Sequence, residues 1–494
     1  MNKKLIIRLL GTILLLEAIC MLPSLVLAVA HGEKSWLALL ISMLACAACG
    51  LPARLLVKPQ SSNLRAREGF LIVTLSWLLM SLFGALPFMI SGYIPNFFDA
   101  FFEAVSGFTT TGATVLTPAQ FNDEALGIHG MDFGIGFWRA FTHWIGGMGV
   151  LVLTLALLPK ITGRSAHLVR AESPGPSLSK IAPKMTDSAK ILYIIYASLT
   201  ILEFIALMIC GLEPYDAALH AVSNAGTGGF SNRASSIAYY NNSAAEIVIT
   251  VFMALFSINL ALYFALVTGR WRDLAKNEEL RWFLGMFVGS ALVIAAIVLV
   301  PVYSGNSGDA LRHSFFNVAT VMSTTGFTID SFTDPNYWPV AAHGIILCLM
   351  FCGACVGSTA GGIKTMRFAL LVKQTKREIG RTFNPRRVQR VRFENRGIDE
   401  NMLHQVAVFG FVYVGLVVLG AMLISFDGKF DLISNFTASL TCVSNIGPCF
   451  GAGATGFSEF GSFSKVIMSI LMLAGRLELF PILAFFHRDA WRGA

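Results

Sequence analysis

Four runs of hydroxyl residues, each closed by a glycine, carry the oxygen chemistry of this chain. They are Ser106-Gly-Phe-Thr-Thr-Thr-Gly112-Ala-Thr114, Asn224-Ala-Gly-Thr-Gly-Gly-Phe230, Ser323-Thr-Thr-Gly-Phe327 and Ser444-Asn-Ile-Gly-Pro448. Each follows a short apolar stretch that opens on a polar residue, Asp99, Asp216, His313 or Asp431. Such a stretch reads as a short helix, whose C-terminal end carries partial negative charge and favours a cation. The glycines permit φ values that turn carbonyl oxygens toward a common axis. The candidate cation ligands are Thr110, Thr111 and Gly112; Gly226, Thr227 and Gly228; Thr324, Thr325 and Gly326; and Asn445, Ile446 and Gly447. No carboxylate ring stands at the glycine level, which argues against selection of a divalent ion. One such run means little, but four at intervals of roughly 100 to 120 residues form an internal repeat.

The elements that must position these runs are membrane spans. Of 494 residues 55% are hydrophobic and 13% charged, and mean hydropathy is +0.66, which excludes a soluble protein of this size. The spacing predicts a span, a helix too short to cross the bilayer, a loop and a second span, four times over. The first pair of spans covers 70–90 and 137–158, the second 191–210 and 247–267, the third 283–302 and 339–372, the fourth 406–426 and 466–486. Two further spans precede them: 1–30, which resembles a signal peptide but is long and contains Glu17, and 36–53. The expected fold is all-α and polytopic, with ten full spans. Its units are 1–69 (two N-terminal helices and a basic loop), 70–160, 161–270, 271–376 and 377–494.

Charge placement orients these units. Basic residues gather at Arg54, Lys58, Arg65 and Arg67, in 160–190, in 270–281, in 373–396, and at His487, Arg488 and Arg492. All fall on one face, which makes that face and both termini cytoplasmic. The net charge of +8 is therefore loop bias beside a lipid bilayer, not nucleic-acid affinity. The nine cysteines lie mostly within apolar runs, so Cys46-x-x-Cys49 and Cys352-x-x-Cys355 read as packing residues rather than metal or redox pairs. Irregular backbone at membrane depth must line a protein-enclosed or watery path, and rings of carbonyls can replace the hydration shell of an ion such as potassium.

With four non-identical span–helix–loop–span units on one chain, and the motifs quoted above, the sequence resembles the Trk, Ktr and HKT superfamily of potassium transporters. The two extra N-terminal spans and the length resemble its TrkH branch in the bacterial Trk uptake system. The resemblance implies potassium uptake through a selectivity filter across the inner membrane, with potassium as the bound ion and no organic cofactor. In that family glycine at all four filter positions goes with potassium, whereas serine in the first goes with sodium. The resemblance further implies a homodimer and a separate cytoplasmic TrkA-type subunit that binds NAD or ATP. This chain has no Gly-x-Gly-x-x-Gly fingerprint of its own. Both channel-like flux and symport coupled to protons or sodium stay open at the level of sequence.

A second constellation is Gly353, Gly357, Gly361 and Gly362, followed by Lys364, within the last span of the third unit. Each glycine costs a helix about 1 kcal/mol relative to alanine, so a break is expected, and the resemblance implies an intramembrane gating loop there. Arg476 would cost roughly 2.5 to 3.5 kcal/mol at mid-bilayer, so it should face the path. Glu478 or the carbonyls of the broken segment are its candidate partners. Arg139 reads as a headgroup contact, Lys364 as a residue of the cytoplasmic mouth, and His143 and Trp144 as helix packing. Competing classes are weaker. A membrane enzyme needs a Ser–His pair or carboxylates at one depth, and nothing links Ser358 to His143. Inverted repeats are opposed by loop charges that put all four motifs on one side. A sodium-conducting member of the same superfamily is the nearest alternative.

Overall fold

The computed structural model describes residues 2–59, 66–122, 130–149, 185–334, 337–384, 386, 389–451 and 456–487. Among the described residues the regular structure is helical apart from one two-stranded hairpin. The end of the 137–158 span, the basic linker up to residue 184, and Arg65, Arg67, Arg488 and Arg492 lie outside the residues whose side chains are described.

Four short helices precede the hydroxyl–glycine loops: Phe97–Phe108, Pro214–Ala225, Ser307–Met322 and Leu432–Ser444. Each has its own start signal. The side chain of Asn96 takes the Phe98 N–H at 2.8 Å; Pro214 occupies the first turn of the second helix; Asn306 takes the Gly308 N–H at 3.1 Å; Asp431 takes the Ser434 N–H at 3.3 Å. The three side chains satisfy donors that a helix leaves open at its N-terminus, and the proline brings no N–H to leave open. The Ser434 hydroxyl also donates to Asp431, which holds that carboxyl below its usual range.

The N-terminal helix Lys3–Cys20 continues after a break beside Pro23 as Leu22–Ala30, and it packs on Trp36–Leu55 and Ala66–Gly84. The first contact is close because it is made by small residues: a methyl on Gly11 would meet Gly50 O at 2.9 Å.

Three of the ten expected spans, 247–267, 339–372 and 466–486, are broken. Among the described residues six helices are long and apolar enough to cross a membrane, or seven if one bent pair is a single span. Ser243–Phe256 and Leu260–Val267 meet at 93°. Val340–Phe351 stops before residues 352–364, and Thr365–Phe383 follows. Ser462–Arg476 is parted from Phe480–Phe486 by Glu478 and Leu479, whose φ values are 54 and 65. The sequence reading placed a break only in the third unit, where glycines cluster. In the others the break rests on single residues: Asn259 caps the outgoing helix through the Ala261 N–H at 2.9 Å, and Pro481 opens the helix after Leu479. The all-α expectation also misses a hairpin pairing Arg392–Phe393 with Arg396–Gly397. It turns on Glu394 and Asn395, both at positive φ, the geometry favoured in two-residue hairpins.

Candidate functional site

The four loops leave their helices in one conformation. Thr110, Thr227, Thr324 and Asn445 have φ of 56, 56, 58 and 56. The residue after each donates its N–H five positions back: Thr111 to Ser106, Gly228 to Ser223, Thr325 to Thr320, and Ile446 to Thr441, at 2.9 to 3.0 Å. A glycine at positive φ comes next, and it is Gly112, Gly229, Gly326 or Gly447.

This register corrects the second loop by one position. Gly228, not Thr227, is the counterpart of Thr111, and Gly229, not Gly228, that of Gly112; Gly226 ends the helix, as Thr109 does. The sequence offers three glycines within 226–229, so spacing could not choose; the left-handed residue at Thr227 does.

The glycines bring the loops together in a closed circuit. A methyl on Gly112 would fall on Gly228 O, one on Gly229 on Thr325 O, and one on Gly326 on Ile446 O; one on Gly447 would meet Thr111 O at 2.7 Å. All four are closer than real side chains approach, so any residue but glycine must displace the neighbouring backbone. Asn445 ties the circuit across, donating to Thr111 Oγ1 at 2.9 Å and Met472 O at 3.0 Å. In the first and third loops the hydroxyls pair likewise, Thr109 with Thr111 at 2.8 Å and Ser323 with Thr325 at 2.7 Å. Converging neutral oxygens of this kind suit a monovalent cation stripped of water.

His143 is more than packing. Its ring stacks on Phe230, binds Ser223 Oγ at 3.0 Å, and fills the space where a Gly228 side chain would stand. Gly146 and Gly147 of the same helix let it lie directly on the backbone of Phe108 and Gly226. Trp144 donates to Thr200 Oγ1 at 3.2 Å.

Arg139 is not a headgroup contact. It is 4% exposed, pairs with fully buried Glu103 at 2.6 Å, donates to Ser231 O at 3.0 Å and lies 3.5 Å over the Phe230 ring. Glu103 also accepts from Thr114 Oγ1 and the Val115 N–H, at 2.9 and 2.8 Å. The pair thus anchors the outgoing strands of the first two loops. Its members stand 36 positions apart, which local sequence does not reveal. Arg139→Met strands a buried carboxylate and should cost about 3 to 5 kcal/mol. A fall in thermal midpoint in detergent, partly restored by adding Glu103→Gln, is the expected result.

The glycine-rich segment lies against the ends of the third and fourth loops. The Gly361 N–H donates to Thr324 Oγ1 at 2.8 Å, and a methyl on Gly361 would fall on Ser444 O. Gly353 backs onto Gly361 and Gly362, and Gly357 faces Asn259. Leu260 N–H donates to Gly357 O at 3.1 Å. Lys364 is no open mouth residue: it is 8% exposed and its ammonium donates to Ala360 O. Arg476 donates to Thr359 O at 2.7 Å, within the segment, and to Gly146 O and Gly147 O at 2.5 and 2.6 Å. Glu478 is not its partner; that carboxylate pairs with Arg367 at 2.5 Å, and positive φ at 478 and 479 ends the helix there.

Residues 37–491 match the TrkH family, described as cation transport protein. The chain is 36% identical over 445 residues to the Trk system potassium uptake protein TrkH of Salmonella typhimurium, covering 88% of each. It is 32% identical over 499 residues to the Trk system potassium uptake protein TrkH of Halomonas elongata, covering 100% of both. The crystal structure of the potassium transporter TrkH from Vibrio parahaemolyticus superposes on it with a TM-score of 0.88 at 30% identity, over 100% of both chains.

Proposed function

The chain belongs to the TrkH family of cation transport proteins, and from that membership we propose that it carries potassium into a bacterial cell along a path lined by its four hydroxyl–glycine loops. It is a transporter and not an enzyme. The observation that supports this reading best is the closed circuit in which each loop glycine abuts a carbonyl of the next loop. Around that circuit the chain forms four units of span, pore helix, filter loop and span, after two extra helices. Carbonyls of Thr110, Thr111, Thr227, Gly228, Thr324, Thr325, Asn445 and Ile446 take the place of water around the ion. Four separate backbone segments at one level hold the spacing, and glycine keeps them near enough to act together.

Below the filter, the segment 352–364 is the gate, held across the path by Arg476. Its guanidinium satisfies carbonyls that the broken helices leave open and opposes cations by its charge. A TrkA-type cytoplasmic subunit, controlled by NAD or ATP, withdraws the segment by moving the helix Thr365–Phe383. The protein works as a homodimer in the inner membrane with both termini inside, which accords with the basic face.

Flux from proteoliposomes tests the ion assignment. Potassium and rubidium should compete for one path, with sodium and lithium excluded by about tenfold or more, which is about 1.4 kcal/mol of discrimination. Equal sodium and potassium flux would make it a sodium-conducting relative instead. Flux that needs an imposed proton or sodium gradient would mark symport.

A further inference from the structure

The glycine-rich segment is fastened on its cytoplasmic flank by a carboxylate from another helix. Glu279 is the second residue of the helix Glu278–Val298 and is 5% exposed. One of its oxygens accepts the Val356 N–H at 2.7 Å and the Met366 N–H at 3.2 Å. Val356 leads into Gly357, and Met366 is the second residue of the helix Thr365–Phe383, so a single oxygen closes the base of the loop from 356 to 366. The adjacent Glu278 pairs with Lys373, further along the same helix, and accepts the Glu394 N–H of the hairpin turn at 2.9 Å. Capping does not explain Glu279, because the start of its helix is already capped by Asn277, whose side chain takes the Leu280 N–H at 2.8 Å.

We infer that Glu279 is a positioning residue of transport, a clasp that holds the glycine-rich segment beneath the four loops and sets its register with the cytoplasmic helix. The inference rests on the reading of that segment as the gate. One carboxyl oxygen here accepts from a backbone N–H inside the segment and from another in the first turn of the helix that follows it. The other ties near the segment's base run within it, by the bridge of Cys352 with Ile363 and by Thr365 Oγ1 on Gly353 O at 2.9 Å, or to the break at 257–260, where Ser257 O takes the Cys355 N–H and Gly357 O the Leu260 N–H, each at 3.1 Å. They cannot fix its position relative to the helix Glu278–Val298. Pulling on Thr365–Phe383 would strain the Met366 bond first and the Val356 bond with it, so the clasp gives way when the helix moves.

The test uses the full-length protein in proteoliposomes as wild type, Glu279→Ala, Glu279→Gln and Arg476→Ala. One readout is basal rubidium flux with its sodium ratio. The other is the rate at which native Cys355 is alkylated by a small maleimide, followed by peptide mass spectrometry. Cys355 is 1% exposed and precedes Val356, so it reports the clasp independently of any flux. In Glu279→Ala, alkylation and basal flux should both rise several-fold while the ion ratio stays at the wild-type value. Glu279→Gln keeps an acceptor oxygen and should lie between; it carries the test alone if the alanine variant fails to insert. Unchanged Cys355 alkylation overturns the clasp. Faster alkylation with raised flux only in Arg476→Ala overturns its role in transport. Faster alkylation with flux unchanged in both variants upholds the clasp and overturns the gate reading.

Discussion

Replacing Arg476 with alanine is expected to raise basal potassium flux by about one to two powers of ten while leaving the potassium preference near its wild-type value. The side chain makes three bonds to backbone oxygens, one to the glycine-rich segment at Thr359 O and two to the end of the helix Phe133–Gly147. Only the first fastens the segment. A hydrogen bond to a charged group contributes about 1.5 to 3 kcal/mol, and losing that much shifts a closed–open equilibrium by the stated factor. The two remaining carbonyls lose their donor as well, but water in an open path can replace it. Arg476→Lys keeps the charge and gives up the planar fork, so it should fall between. Flux of several ions from proteoliposomes decides the matter. Basal flux at or below wild type in properly inserted Arg476→Ala would remove the arginine from the gate.

Much of the fold is legible in the residues because its signals are local. A glycine after a run of hydroxyls marks a loop end, Asp431 marks a helix start, and the glycines from 353 to 362 mark a broken span, whereas the third short helix begins at Ser307, ahead of the His313 read as its start. What escapes is set by contacts between distant units. Arg139 looks like an interfacial residue until Glu103, on the preceding short helix, is found beside it. Arg476 has a carboxylate two positions away, yet the positive φ at Glu478 takes it out of the helix and that group pairs with Arg367 instead. Breaks at 257–259 and 477–479 escape for a different reason. They depend on one cap or one proline, and the runs around them remain apolar enough to pass for a span.

The second loop is where structure and spacing disagree most sharply, and there the two glycines should behave differently. Gly229 has φ of 74, and its missing side chain is where the third loop's carbonyl comes closest. Gly228 has no such backbone requirement; the imidazole of His143 occupies the space beside it. Gly229→Ser should therefore act as Gly112→Ser does. Each forces a side chain between two of the loops at a φ that costs an ordinary residue about 1 to 3 kcal/mol, and the potassium-to-sodium flux ratio should fall by about tenfold or more. Gly228→Ala disturbs the same loop from behind, so removing the obstruction should undo it. His143→Ala on the Gly228→Ala background is expected to recover most of the lost selectivity, whereas on Gly229→Ser it should recover none, since the clash there is with backbone. The reverse pattern, rescue at 229 and not at 228, would restore the register read from spacing alone and make Gly228 the counterpart of Gly112.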